Sequence, residues 1–545
     1  MGPPLRPPLD PARKRLPRAR SAQPDSPPPG RVVRRAEALA VAVPVAVMTL
    51  LGLWGLDRGG MWRDEAVTFQ VARRTVPQIW RLLHAVDAVH GLYYLLMHAV
   101  LALHPGEVLL RLPSVCGAAV TAGLVAALGA RLVRPRVGLW AGLLYAVTPM
   151  AGHYAQEGRS YALVAAGATG ATLLLVRAVT AGGRSWWAYG AVLGVTCWLH
   201  ELAVLLLLAH AVTLALARVR GTVWRGWGCA AGALVLTLLP MVAVSHAQSA
   251  QLAWLTEPTL ESAQGLLRAF AGPTSQVYWT CLAFAVVGMT RLAGRRGEVT
   301  CAGIALPLAV VPPVTLMLAS QSSPLYVDRY VLYALAGAPL LVATGADRVA
   351  VALARLWTGS PFRVRSGSSF LTLTGVLAIA LAFTHQLPLL REDRLPGHRP
   401  DNLAAVSVAA SHELRPGDPV LFLPSHARGV ALTYPAGFRG TRDMALAVGA
   451  PESGTLYGTE VDADVLRRRL AGLDRVWVVA ERYMLDAPRR PGNPVERVKL
   501  DVLRGQFAVG AESVRNRVTV RLYVRRHLVT GSPVRSPAQP RPGRR

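Results

Sequence analysis

Long apolar runs joined by short arginine-rich connectors recur from residue 36 to about residue 386 of this chain. A helix of about 20 apolar residues crosses the roughly 30 Å hydrocarbon core of a bilayer, so each run is read as a candidate span. The first is Ala36 to Leu56, longer than a signal-peptide core and without a convincing small-residue cleavage site after it, and so read as retained. Others lie near 109–130, 137–153, 161–179, 186–200, 202–217, 228–245, 276–292, 299–319, 330–352 and 369–386, which predicts about eleven spans by window length. RLVRPR at 131–136, AGGR at 181–184, RVRGTVWR at 218–225, RLAGRR at 291–296 and RLWTGSPFRVR at 355–365 then all fall on one side. The positive-inside rule makes that side cytoplasmic and puts the N-terminus with it.

An odd number of crossings places everything beyond about Leu387 outside. The many arginines there do not oppose this, because long domains translocate largely regardless of charge. Helix-like stretches at 401–414 and 462–471 alternate with strand-like PVLFLP, RVWVVA and RVTVRLYV, predicting a small extracytoplasmic α/β domain over 400–528. Residues 1–35 and 529–545 are rich in Pro and Arg and predict disordered tails, the first of them cytoplasmic. The fold class expected is therefore an α-helical polytopic membrane protein over 36–386 with a small outer α/β domain. No internal repeat and no glycine-rich phosphate loop is present.

Composition agrees: 52% of the 545 residues are hydrophobic and 17% charged, too apolar for a solvated surface. The formal net charge of +28 would suggest nucleic acid in a soluble chain, but much of it sits in tails and connectors, so no nucleic-acid partner is expected. Cys116, Cys197, Cys229, Cys281 and Cys301 lie within or beside apolar runs without metal-ligand spacing, and read as packing residues without disulfides.

Candidate chemistry gathers in the predicted outer loops. The first, Asp57 to about Leu110, carries Trp62-Arg63-Asp64-Glu65, the amphipathic VPQIWRLLHAV and His90-Gly91-Leu92-Tyr93-Tyr94. Paired carboxylates beside an apolar surface can supply a base for a hydroxyl proton. The ordinary reading of Asp64 and Glu65 is as solvated helix-start acids paired with Arg63 or Arg73. The second loop, His153 to Tyr161, sets Tyr154, Glu157, Arg159 and Tyr161 at the membrane face, where such groups are costly unless partnered or functional. The third, QSSPLYVDRY, places Asp328, Arg329 and Tyr330 at the outer start of a span. Arginine suits a lipid phosphate through its planar fork, and equally serves as a snorkelling anchor. Arg111, in LLRLPSV, and His200 with Glu201, at a hairpin tip, carry the same two readings. Asp418, Ser425 and His426 are not taken as a triad.

In order, Asp64-Glu65, LYYLL at 92–96, RLPS at 111–114, YAQEGRSYAL at 154–163 and Arg329-Tyr330 resemble the GT-C superfamily of glycosyltransferases, specifically family 39-like mannosyltransferases. The resemblance covers roughly residues 36–386. It implies an inverting transferase taking sugar from a polyprenyl-phosphate carrier on the outer face, with Asp64 as general base. On that reading Glu65 assists catalysis, and Arg329, Arg159 and Arg111 are candidate ligands of the donor phosphate. His90, Tyr93, Tyr154, Glu157, Tyr161, His200 and Tyr330 are candidates to bind acceptor or sugar. The family's first loop continues with His-Pro-Pro where this chain has Val89-His90-Gly91. Related oligosaccharyltransferases hold a metal through added second-loop acids, whereas only Glu157, near Gln156 and Arg159, stands here. A metal-independent site without cofactor is expected, a divalent ion being left open. The acceptor expected is a protein, glycolipid or cell-wall polymer, in a plasma membrane whose lipid surrounds the chain; mannose is the family's commonest sugar. The rival reading is a lipid or polysaccharide transporter, which should place its polar groups near the bilayer midplane rather than together at one face.

Overall fold

The computed structural model describes residue 2 and residues 29–358, 368–398, 401–485, 491–515 and 517–529. Most of the two expected tails lies outside these residues, and the first helix already begins at Pro29. In order come α1 (Pro29–Leu53), the short helices α2 (Arg63–Ala72), α3 (Val76–Leu83) and α4 (Gly91–Leu101), then α5 (Glu107–Leu132) and α6 (Pro135–Val147). They are followed by α7 (Pro149–Ala155), α8 (Tyr161–Ala181), α9 (Arg184–Leu199), α10 (Leu206–Leu216) and α11 (Gly221–Ala247). The helical part ends with α12 (Leu260–Ala271), α13 (Ser275–Gly288), α14 (Cys301–Ala319), α15 (Gly337–Thr358) and the helix Ser368–Asp393.

Seven helical stretches among the described residues are long and apolar enough to cross a membrane, and Ala88–Leu101, Glu201–Leu216 and Ser275–Gly288 are shorter apolar helices. The run expected over 137–153 is broken at Thr148-Pro149 into α6 and α7, because proline suits the first turn of a new helix and not the interior of an old one. Helices approach most closely where glycine leaves backbone against backbone. Gly345 of α15 faces the Phe284 carbonyl of α13, and Gly288 of α13 faces the Leu341 carbonyl, so neither position has room for a methyl group. A buried ion pair at one end of the bundle, Arg136 Nε to Asp347 Oδ1 at 2.6 Å, ties α6 to α15.

The C-terminal region forms a five-stranded sheet from β1 (Pro419–Leu423), β2 (Arg442–Asp443), β5 (Arg475–Glu481), β6 (Phe507–Arg515) and β7 (Val518–Arg525), in the order β2-β1-β5-β7-β6. β3 (Leu446–Val448) and β4 (Thr459–Glu460) pair separately. β1 runs parallel to β2 and β5, with Leu421 opposite Val478, and β7 is antiparallel to β5 and β6. Side chains alternate along a strand, so β1 and β5 have two apolar faces to cover. Leu421, Leu423, Val476 and Val478 pack with Leu466, Leu470 and Val498 of the helices Ala463–Ala471 and Pro494–Gln506. Val420, Phe422, Trp477 and Val479 pack instead with Phe69, Val71, Ile79, Leu82, Tyr93 and Met97 of α2, α3 and α4. The first loop and the C-terminal sheet thus share one core. The sequence reading treats them as separate and contains no signal of this, because an apolar face shows that it must be covered and not by what.

Candidate active site

Three consecutive residues at the start of α2 point in three directions, as the 100° step of a helix dictates. Arg63 turns to the C-terminal domain, donating from Nη2 to Glu481 Oε1 at 2.5 Å and lying 3.8 Å from Asp401. Asp64 turns to Arg329, whose Nη2 stands 3.4 Å from its Oδ2. Glu65 turns inward to Arg111, which donates from Nε and Nη2 to its two oxygens at 2.8 and 2.9 Å. The two acids also suit the positive end of the helix dipole.

The sequence groups Glu65 with Asp64 as a carboxylate pair, and the fold separates them. Glu65 and Arg111 have fully buried side chains. Arg111 further donates to the carbonyls of Leu56 and Gly60 at 3.0 and 3.3 Å, and Glu65 Oε1 accepts from the Gly158 amide at 2.9 Å. The guanidinium is consumed inside the protein, so Arg111 is a fastener of loop to helix and presents nothing to a donor phosphate. Glu65 likewise has no free face for catalysis.

The other loops meet at Asp64. Arg329 donates from Nε to the Tyr161 hydroxyl at 3.2 Å, and its guanidinium lies 5.6 to 5.9 Å from the ring centres of Trp62, Tyr330 and Tyr161, a cation-π cradle. Its backbone amide donates to Asp328 Oδ1 at 2.8 Å, which also receives the Tyr154 hydroxyl at 3.4 Å. Arg159 is buried and donates to the Asp64 carbonyl at 3.4 Å, to Thr68 Oγ1 at 3.1 Å and to His90 Nε2 at 2.7 Å. His200 completes the wall, its ring centre 4.8 Å from Tyr330 and 6.1 Å from His90. Ser114 of the RLPS stretch fixes the second loop by donating to the carbonyl oxygens of Glu157 and Arg159.

Every candidate except Glu65 and Arg111 is thus brought to one place. Tyr93 packs its ring in the core shared with the sheet, and its buried hydroxyl, without a hydrogen-bond partner, lies within electrostatic reach of Arg159 and Tyr161. Trp62 has no role in the sequence motif and Asp328 only that of a partner for a snorkelling Arg329; the fold gives each a contact to Arg329. His153 and Asp393, joined at 2.7 Å, carry no sequence signal as partners, because they stand 240 positions apart.

Buried polar atoms normally find partners. Here His90 Nδ1, Glu157 Oε1, Arg159 Nε, Ser160 Oγ and His200 Nδ1 are buried without one, all from residues around the same site. Such a concentration costs folding energy and marks a surface prepared for something polar. Burial, reinforced by Arg159, holds His90 well below the usual histidine range. A neutral His90 accepts from Arg159 at Nε2 and therefore carries its proton on the unpartnered Nδ1. Burial likewise pushes the Glu157 carboxyl up to about 7, against the pull of His153 and Arg329.

The raised carboxyl has a consequence for stability. The folded chain holds the Glu157 proton in the window between its ordinary value and about 7, where the unfolded chain has lost it. Stability therefore falls as pH rises through that window, by up to about 1.4 kcal/mol per pH unit, and levels off above it. Glu157→Gln is expected to remove this component. Melting temperatures of the two proteins in detergent from pH 4.5 to 8 check it, and parallel curves would rule it out.

Residues 90–244 match the profile of the family described as dolichyl-phosphate-mannose-protein mannosyltransferase. No curated protein matches the chain. Among solved structures, ArnT from Cupriavidus metallidurans in the apo state superposes with a TM-score of 0.55 at 14% identity, over 88% of this chain and 97% of that one. The same enzyme bound to undecaprenyl phosphate gives 0.53 at 14% identity over the same shares. The archaeal oligosaccharyltransferase AglB from Archaeoglobus fulgidus, in complex with an inhibitory peptide and a dolichol-phosphate, gives 0.51 at 10% identity, over 90% of this chain and 74% of that one. With its apolar spans, its C-terminal sheet and these likenesses, the chain is a multi-pass membrane protein of the GT-C fold, carrying over residues 90–244 the sequence pattern of the mannosyltransferase family.

Proposed function

We propose that this protein transfers a sugar from a polyprenyl-phosphate donor to an acceptor hydroxyl, inverting the anomeric centre, with Asp64 as general base. The observation that carries the reading is the Asp64–Arg329 pair at the point where the polar residues of three loops meet. Arg329 reaches Asp64 at only 3.4 Å and its Nη1 has no hydrogen-bond partner among the described residues, so a phosphate can draw the guanidinium toward itself. Asp64 is then released to take the acceptor's proton: the donor arms the base. The hydroxyl oxygen attacks the anomeric carbon from the side opposite the phosphate, the bond to the phosphate oxygen breaks with its electron pair, and Arg329 stabilises the charge that develops. Arg159 positions α2 through the Asp64 carbonyl, while Tyr154, Tyr161, His200, Tyr330, His90 and Glu157 orient sugar and acceptor.

An apolar cleft of about 350 Å³ supports a lipid-linked donor. It is lined by Ile79, Trp80 and Leu92 on one side and Trp198, Met241 and Val244 on the other. In its wall Gly91 adjoins His90 and Trp198 stands two residues from His200, so a prenyl chain lying there would present its phosphate to the polar site. On this reading the site and the C-terminal domain are extracytoplasmic, the arginine-rich connectors and the N-terminus face the cytoplasm of a plasma membrane, and the acceptor is a protein, glycolipid or wall polymer. Mannose is the first sugar to test, being named in the matched family's description. The convergence of polar residues at one face favours a transferase over a transporter.

The test is sugar transfer in isolated membranes supplied with a panel of radiolabelled polyprenyl-phosphate sugars, with nucleotide sugars as the comparison. The expected result is label moved from one polyprenyl-phosphate sugar and from no nucleotide sugar. Transfer from a nucleotide sugar alone would overturn the donor class, and no transfer from any donor would return the weight to the transporter.

A further inference from the structure

A second polar recess lies a membrane thickness away from Asp64. α5 and α15 each start near the site, at Arg111 and just after Arg329, and run some 33 to 39 Å at about 1.5 Å per residue to the opposite face. There a cleft of about 390 Å³ is lined by Arg134, Arg291, Arg348 and Arg355, with Asp347, Glu298 and Thr300. Arginines at the ends of spans are common as determinants of topology. These differ in lining one cavity together, Arg348 half-buried and Arg291 and Arg355 exposed at its rim, and in how their charges are matched.

The acids beside them form no ion pair with Arg291, Arg348 or Arg355 among the described residues. Asp347 is buried and bound by Arg136 Nε at 2.6 Å and Arg134 Nη2 at 3.3 Å. Glu298 accepts the Arg295 amide at 2.8 Å. Arg348 donates only to the end of α13, with Nη1 2.9 Å from the Val287 carbonyl. Arg291 and Arg355 have no hydrogen bond or ion pair among the described residues. Arg291 also sits at φ 61°, a left-handed conformation that glycine adopts without strain. Three guanidiniums without an acid of their own thus share one recess at the bilayer boundary, the span containing α15 ending at Leu356.

We propose that this cleft binds a phosphate-bearing anion, independently of the transfer site, with Arg291, Arg348 and Arg355 as its ligands. Arginine forks match phosphate oxygens two at a time, and the like charges they neutralise are otherwise held together at a cost. Two sources share the chemistry: the head group of an anionic phospholipid of the adjoining leaflet and a soluble phosphate compound.

The full chain, purified in detergent and washed free of lipid, is melted with added phosphatidylglycerol, phosphatidylcholine or inorganic phosphate, alongside the double variant Arg291→Gly/Arg355→Ala. Ligand in large excess over its dissociation constant is expected to raise the wild-type melting temperature by about 2–4 °C. A rise with phosphatidylglycerol alone assigns the site to lipid, and a rise with inorganic phosphate assigns it to a soluble compound. Either rise should be absent in the double variant. Arg355→Gln alone, at an exposed helical position, should increase the concentration needed for half the rise at least about threefold. No rise with either anion, an equal rise with phosphatidylcholine, or a rise that the variants keep would each overturn the proposal.

Discussion

Asp64→Asn is expected to lower the rate of sugar transfer by about 10²–10⁴-fold, the range that removing a general base produces. Asparagine keeps the size and the acceptor oxygen of aspartate, so the variant should fold and insert as the wild type does. What it loses is the anion. Arg329, which has only this carboxylate as an acid partner among the described residues, would then be free for the donor phosphate before the donor arrives. The half-saturating donor concentration should therefore stay level or fall while the maximal rate collapses, a split that a damaged fold would not give. Initial rates at matched expression, over a range of donor concentration, decide it. A maximal rate within about threefold of wild type would remove Asp64 from the chemistry.

The second large effect lies in folding. Arg111→Ala would leave the Glu65 carboxylate fully buried without its guanidinium, and would strip a donor from the carbonyls of Leu56 and Gly60. Removing one partner of a buried ion pair typically costs about 3–5 kcal/mol, a large part of a domain's margin of about 5–15 kcal/mol. Little folded protein should reach the membrane, and what does should melt well below wild type. Arg111→Met with Glu65→Leu should recover part of the loss, since neither charge is then stranded. Detergent size-exclusion profiles and melting curves report both. An Arg111→Ala protein that melts normally but needs far more donor would instead restore Arg111 as a phosphate ligand.

These two residues show where reading the sequence stops. Asp64, Arg159, Tyr161 and Arg329 were legible as polar groups at the membrane face, since such groups are rarely left there without a reason. Glu65 and Arg111 satisfied the same criterion and are structural. Position along the chain shows that a charged group sits near the interface, while its helical phase, set by where α2 begins after Trp62, determines whether it faces the site or the interior. The strands PVLFLP, RVWVVA and RVTVRLYV were legible from their β-branched residues and appear as β1, β5 and β7. The number of crossings was less so. A window of apolar residues does not distinguish a full span from a pair of shorter helices broken at Thr148-Pro149.

The shared core of the first loop and the C-terminal sheet also sets an order of events during synthesis. α2 is among the first segments to be synthesised, yet the glutamate that holds its Arg63 follows 418 positions later. Through most of translation Phe69, Ile79 and Leu82 would have no sheet to lie against, and the helix bearing Asp64 would be held on one side only. A nascent or C-terminally truncated chain would thus contain every residue of the transfer site and still be unable to use them. On the proposed function, competence would arrive only with the last strand.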